Sequence, residues 1–205
     1  FIHLGTSPQL GPLQAEIADE LHPEFPLDIY SANKMVSEKY VLIYAKAYKI
    51  DACVLRLSNI YGPRAAIHSP EFTFNNYFIG LAFQDKAISI FGDGLQTRNL
   101  VYIDDVVEAI TIAGDSDEVR GNCYFIVGDK TIQLRDVAEK IATIVGTGKI
   151  AFVPWPENRR ALEFGNAVIS GDKFYKLTGW KPKTSIEDGL KQTKEYFEPC
   201  LSKYI

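Results

Sequence analysis

The stretch "DIYSANKMVSEKYVLIYAKAYKIDACVLRLSNIYGP", residues 28 to 63, reads as a helix followed by a buried strand that ends in polar residues and a turn. Val41, Leu42, Tyr44, Ala45 and Tyr48 recur at helical spacing within a helix predicted over about 31 to 49. Residues 53 to 58 then form a short, almost continuous apolar run bounded by the Gly62-Pro63 turn, which predicts a strand. A helix feeding a buried strand is one half of an α/β crossover. In open α/β sheets ligands bind just beyond the carboxyl ends of the strands, which is where Ser58 and Asn59 fall. Tyr30 and Lys34 stand one helical turn apart in the same stretch. Such a pair on a helix surface stabilises only weakly, so its interest lies in its neighbourhood.

Outward from this core the alternation continues. A strand at 1 to 4 runs into the Gly/Pro-rich loop "GTSPQLGPLQ" and an acidic, proline-bearing segment to Leu27. After a loop at 62 to 71, "FTFNNYFIGLAFQ" has helical spacing and "AISIFGDG" is a short strand closed by a turn. "TRNLVYIDDVVEAITIAG" predicts a strand and a helix that Asp104 or Asp105 can cap. A strand at 122 to 127 leads to the helix "LRDVAEKIATIVG", stopped by Gly146. A strand near 150 to 153, a Pro/Arg-bearing loop, a short helix at 172 to 177 and a last helix from about Ser185 complete an α/β chain without internal repeats.

The composition suits such a fold. Of 205 residues 46% are hydrophobic, enough for a sizeable core. Lys+Arg of 22 against Asp+Glu of 26, with the signs mixed, leaves a net charge of −4, which argues against nucleic acid and against an anionic membrane and favours a small soluble ligand. Cys53, Cys123 and Cys200 are far apart with no CxxC, so neither a metal site nor a disulfide framework is expected, and a cytoplasmic setting follows. No run approaches the roughly 20 apolar residues of a membrane span. The chain opens at Phe1 inside a predicted strand and its only methionine is Met35, which leads us to expect part of a longer protein.

Four motifs carry a resemblance over nearly the whole chain: "YSANK" at 30 to 34, "RLSNIYGPR" at 56 to 64, "IFGDGLQTRNLVYIDDVVEAI" at 90 to 110 and "LTGWKPKTSIEDGL" at 177 to 190. In this order and spacing the sequence resembles the extended short-chain dehydrogenase/reductase superfamily, in its NAD-dependent nucleotide-sugar epimerase/dehydratase branch. The resemblance implies that residues 1–60 are the second half of a Rossmann-type dinucleotide-binding domain. Residues 61–205 are then mainly a smaller nucleotide-sugar-binding lobe, with 99–145 partly returning to the Rossmann sheet. It also implies a homodimer, built through the tyrosine helix. Family members begin with a GxxGxxG loop that holds the dinucleotide pyrophosphate, and no such triplet occurs among the 15 glycines here. The pyrophosphate cradle and the choice between NAD and NADP are therefore expected outside this sequence, and these residues alone are expected to be inactive.

The resemblance assigns roles residue by residue. Tyr30 is the base for a sugar hydroxyl and Lys34 stabilises its phenolate and holds the nicotinamide ribose, which suits a phenol whose ordinary pKa of about 10 is too high for a base at neutral pH. Ser58 lies with them at the cofactor. Thr6 in "LGTSPQLG", with Ser7 as the alternate, is the hydroxyl that bridges substrate and tyrosine, although Leu10 stands where epimerases usually have an aromatic residue. Asn59 and Arg98 fall on the nucleotide diphosphate, where a guanidinium can donate two parallel hydrogen bonds. Asn76 and Phe91 match the region around the base. Arg160 is the second phosphate arginine, with Arg159 competing. In 4,6-dehydratases an Asp-Glu pair follows the threonine to drive elimination; this chain has Ser7-Pro8 there. Epimerisation at the sugar 4-position through a transient keto sugar is thus the expected reaction. A ketoreductase and a non-catalytic nucleotide-sugar-binding domain remain the alternatives.

Overall fold

The structure is a computed structural model that describes residues 1–205. Its strands are β1 (Ile2–Thr6), β2 (Cys53–Leu57), β3 (Asn59–Tyr61), β4 (Ala87–Phe91), β5 (Thr97–Tyr102), β6 (Cys123–Ile126), β7 (Thr131–Gln133) and β8 (Lys149–Val153). The α-helices are α1 (Ile29–Tyr48), α2 (Phe74–Phe83), α3 (Ile103–Asp115), α4 (Leu134–Val145), α5 (Glu157–Arg160), α6 (Asp172–Thr178) and α7 (Ile186–Phe197). The mixed α/β class expected from the sequence is the one found.

Three small sheets organise these elements. The first is all-parallel in the order β1-β2-β6, the second has the order β3-β5-β7 with β7 antiparallel, and the third pairs β4 with β8 in parallel. Every residue of β2 is buried, as expected of a parallel strand covered on both faces. Cys53, Leu55 and Leu57 enter a core shared with Val106, Ala109 and Ala113 of α3 and with Tyr124, Phe174 and Trp180. Because side chains alternate along a strand, Val54 and Arg56 face the other way. A second core lies under α2, α4 and α7 around Tyr61, Phe78, Ile88, Ile141 and Phe197. No helix is long and apolar enough to cross a membrane.

Local expectations change in several places: the short strands β3 and β7 and the short helix α5 form where turns and loops were expected. The first strand continues through Gly5 to Thr6, so Thr6 ends β1 and does not sit in the loop. Neither Asp104 nor Asp105 caps α3, whose N-cap position is Tyr102 without a side-chain cap. Asp105 is instead buried and accepts hydrogen bonds from the Lys183 and Thr184 amides at 3.1 Å each, tying α3 to the segment before α7. That partner lies 78 residues away in the chain, which local spacing does not reveal.

Candidate active site

The first sheet brings the carboxyl end of β1 next to that of β2, with Thr6 paired to Leu57 in the register. Gly5 leaves room for this approach: a Cβ there would lie 3.3 Å from Val54 and 3.4 Å from Arg56. After β1 the chain makes one 3₁₀ turn, Ser7–Leu10, and reverses at Gly11. Gly11 has φ +63°, and a Cβ there would fall 1.9 Å from the Phe25 carbonyl, so the loop requires glycine. Asp28, two residues before Tyr30, caps α1 by accepting from the Ser31 amide at 2.6 Å, and the helix starts at Ile29.

α1 therefore presents Tyr30 in its first turn, 58% exposed, with Lys34 one turn further on. The Lys34 ammonium donates to the Leu4 carbonyl of β1 at 3.0 Å and lies 5.9 Å from the Tyr30 ring centre. An ammonium has three donors, and this one makes no other hydrogen bond or ion pair in the protein. It is anchored at the strand end and still has donors for a ligand.

Next to it, Thr6 and Ser7 are both buried and Ser58 lies at the end of β2 with 8% exposure. The Ser58 hydroxyl donates to Asn99 Oδ1 at 3.3 Å, and the Asn59 amide donates to the Asn99 carbonyl at 3.1 Å. Ser7, Ser58, Asn59, Arg98 and Asn99 line one small pocket together with Phe164. The structure thus brings Ser58, Asn59 and Arg98 together beside the Thr6-Ser7 turn.

Arg98 differs from an open phosphate donor. It is buried, donates from its NH2 group to both Glu163 oxygens at 2.7 and 3.0 Å, and from NH1 to the carbonyls of Thr97 and Gly165. Phe164 stacks 4.4 Å from the guanidinium carbon. Asn76 is also committed: its amide donates to the Ile60 carbonyl at 3.1 Å and to the Thr73 hydroxyl at 2.6 Å, holding the chain just after Asn59. Phe91 packs against Trp155, ring centres 5.3 Å apart, in a separate apolar cleft that Gln96 and Arg159 also line. Arg159, not Arg160, reaches that cleft; Arg160 is exposed in the last turn of α5.

Three residues to which the sequence motifs gave no role matter here. Asn99, directly after Arg98, donates to the Gly128 carbonyl, accepts from the Gly128 amide, and so joins β5 to the end of β6. Glu163 occupies Arg98. Glu38, fully buried, accepts from Arg56 at 2.6 and 2.8 Å and from Gln9 at 3.0 Å. Burial alone would raise the Glu38 carboxyl, but the hydrogen bonds and charge of Arg56, with Gln9 and Lys39, outweigh it and hold it below its ordinary range. The one available signal for Glu38 was its place four residues after Lys34 on a predicted helix.

The NAD dependent epimerase/dehydratase family model matches residues 1–128. The chain belongs to that family. It is 30% identical over 200 residues to a trifunctional UDP-glucose 4,6-dehydratase/UDP-4-keto-6-deoxy-D-glucose 3,5-epimerase/UDP-4-keto-L-rhamnose-reductase of Arabidopsis thaliana, covering 96% of this chain and 29% of that protein. It is 29% identical to the dTDP-D-glucose 4,6-dehydratase of Mus musculus, covering 96% of this chain and 55% of that one. Among solved structures, the UDP-glucose 4-epimerase of Thermotoga maritima with UDP-glucose superposes with a TM-score of 0.88 at 27% identity, over 98% of this chain and 64% of that chain. The UDP-glucuronic acid 4-epimerase of Bacillus cereus, in complex with UDP-glucuronic acid and NAD, gives 0.81 at 27% identity over 97% and 61%. The chain thus spans less than two thirds of each of these proteins.

Proposed function

We propose that these residues form the proton-transfer and nucleotide-sugar-binding part of an NAD-dependent 4-epimerase. The observation that carries this reading is the pair on α1: an exposed Tyr30 with a Lys34 ammonium anchored to β1 one turn away, beside a Thr6-Ser7 turn that contains no carboxylate.

The residues present fit one end of the cofactor. Lys34 keeps donors for a ribose hydroxyl, and Tyr30 is open to solvent at the strand ends. For the pyrophosphate the chain has no GxxGxxG loop. When bound, NAD accepts a hydride from the sugar carbon and returns it. The protein's own share is the proton. Tyr30, as a phenolate stabilised by the Lys34 charge, takes it from the sugar hydroxyl and becomes the neutral phenol, and the Thr6 or Ser7 hydroxyl relays between the two oxygens. Returning the proton to the same oxygen after the keto sugar has turned over completes inversion at one carbon.

Elimination of water would need an acid and a base near the neighbouring carbon. The carboxylate connected to this turn, Glu38 through Gln9, is committed to Arg56, which favours epimerisation over dehydration. Incubating the full-length protein with NAD and a panel of UDP-, dTDP- and GDP-sugars, and in parallel with reduced cofactor and their 4-keto forms, tests the reading. Interconversion of 4-epimers without net cofactor consumption is expected; stoichiometric consumption of reduced cofactor would make it a ketoreductase, and binding without turnover a non-catalytic domain.

A further inference from the structure

The three segments that supply the candidate site converge on one carboxylate. Gln9 lies three residues after Thr6, in the turn that follows β1; Glu38 lies one helical turn after Lys34 on α1; Arg56 lies two residues before Ser58 on β2. Gln9 and Glu38 have no exposure and Arg56 has 1%. Glu38 Oε2 accepts from Gln9 Nε2 at 3.0 Å and from Arg56 Nε at 2.8 Å, while Oε1 accepts from Arg56 NH2 at 2.6 Å. Lys39 and Glu24 close the network at its outer side, Lys39 to Glu24 at 2.7 Å and Arg56 to Glu24 at 2.5 Å.

A buried ion pair of this kind is weak evidence for stability, because desolvation offsets much of its attraction; its better-attested use is to fix one arrangement among several. What it fixes here is specific. The backbone of the Ser7–Leu10 turn donates from Gly11 to Pro8, and no side chain of the turn other than Gln9 bonds to a neighbouring element. Without that amide the turn keeps its local shape but loses its tie to α1.

Resting on the epimerase reading above, we propose that Glu38 is a positioning residue. Through Gln9 and Arg56 it sets the distance between the Thr6-Ser7 hydroxyls, the Tyr30-Lys34 pair and the Ser58-Asn59 segment, and so acts on the proton relay without touching substrate. Misplacement of reacting groups by about 1 Å can cost about 100-fold in rate.

Gln9→Leu cuts the link and leaves Glu38 paired with Arg56, so folding is less at risk than in Glu38→Gln, and the two variants are measured alongside Tyr30→Phe in the full-length protein. We expect Gln9→Leu to lower kcat about 10- to 100-fold with KM for the nucleotide sugar within about threefold and the melting temperature nearly unchanged. The Gln9→Leu/Glu38→Gln double variant should lose little more than the worse single variant, since both break one unit. Wild-type kcat in a folded Gln9→Leu, with Tyr30→Phe inactive, would overturn the positioning role alone. Activity retained in Tyr30→Phe would instead remove the epimerase reading and this inference with it.

Discussion

Arg98 carries the sharpest question at the scale of single residues. Its four terminal N–H donors are directed to Glu163, Thr97 and Gly165, so a diphosphate meets only the Nε–H unless it displaces the Glu163 carboxylate. If Arg98 is the phosphate arginine, ligand binding exchanges one anion for another, and the exchange costs affinity. Glu163→Gln should then tighten UDP binding, by about tenfold if about 1.4 kcal/mol of competition is removed. Isothermal titration of UDP against wild type and variant reads this directly; weaker binding in the variant would show that Glu163 holds Arg98 in its working position. Arg98→Lys should weaken UDP in either case, because an ammonium cannot reproduce the planar fork.

Among the elements, α1 is the one whose sequence pattern and packing part company. Its apolar residues at helical spacing suggest a stripe turned to the core, yet Tyr40, Ile43, Tyr44 and Tyr48 are all more than half exposed. The residues that α1 buries are Ser31, Glu38 and Ala45, seven apart, a nearly straight line of two-turn steps along one side of the helix. A charged residue on that line breaks the apolar signal, and its Arg56 partner lies 18 residues downstream. The order of the longer strands and helices, the positions of Tyr30, Lys34, Ser58 and Asn59 near strand and helix ends, and the α/β class follow from local spacing, whereas the short β3, β7 and α5 carry too few residues to show a period. The Glu38–Arg56 and Arg98–Glu163 pairs do not, because their partners lie 18 and 65 residues apart in the chain, which local spacing does not link. We propose that the exposed Tyr/Ile side of α1 meets a second copy of the chain. Light scattering of the full-length protein at micromolar concentration should give a dimer, and Tyr44→Lys with Ile43→Glu should give a monomer.

The same helix predicts a pH response. A carboxylate whose folded pKa is depressed adds stability above its unfolded value, here 4.5 for Glu38, and loses it as pH falls through the folded value. His3 on β1 is held below its ordinary 6.5, first by burial and then by the Lys34 charge, against a smaller opposing pull from Glu38. The folded chain therefore resists protonating His3, and stability should start to fall as pH drops below 6.5. Both effects act in one direction. The urea midpoint should decline from pH 7 to pH 5 and more steeply below 4.5; His3→Gln should flatten the first part only. A midpoint that rises between pH 7 and pH 5 would contradict this assignment.

For the whole molecule, the arrangement of phosphate donors decides ligand preference. Asn59 and Arg98 stand together at one pocket and Arg159 lines the apolar cleft with Phe91 and Trp155, whereas no glycine loop for a dinucleotide pyrophosphate occurs in the 205 residues. These residues should bind UDP more tightly than NAD, a difference that titration calorimetry on the chain can measure. The proton relay of a 4-epimerase is read by following a UDP-hexose and its 4-epimer by NMR with NAD and the full-length protein, as wild type or as Tyr30→Phe. Wild type should bring the two epimers to equilibrium with no net change in cofactor, while Tyr30→Phe should slow this at least 100-fold with UDP affinity within about twofold of wild type. Epimerisation at the wild-type rate by Tyr30→Phe would contradict the relay.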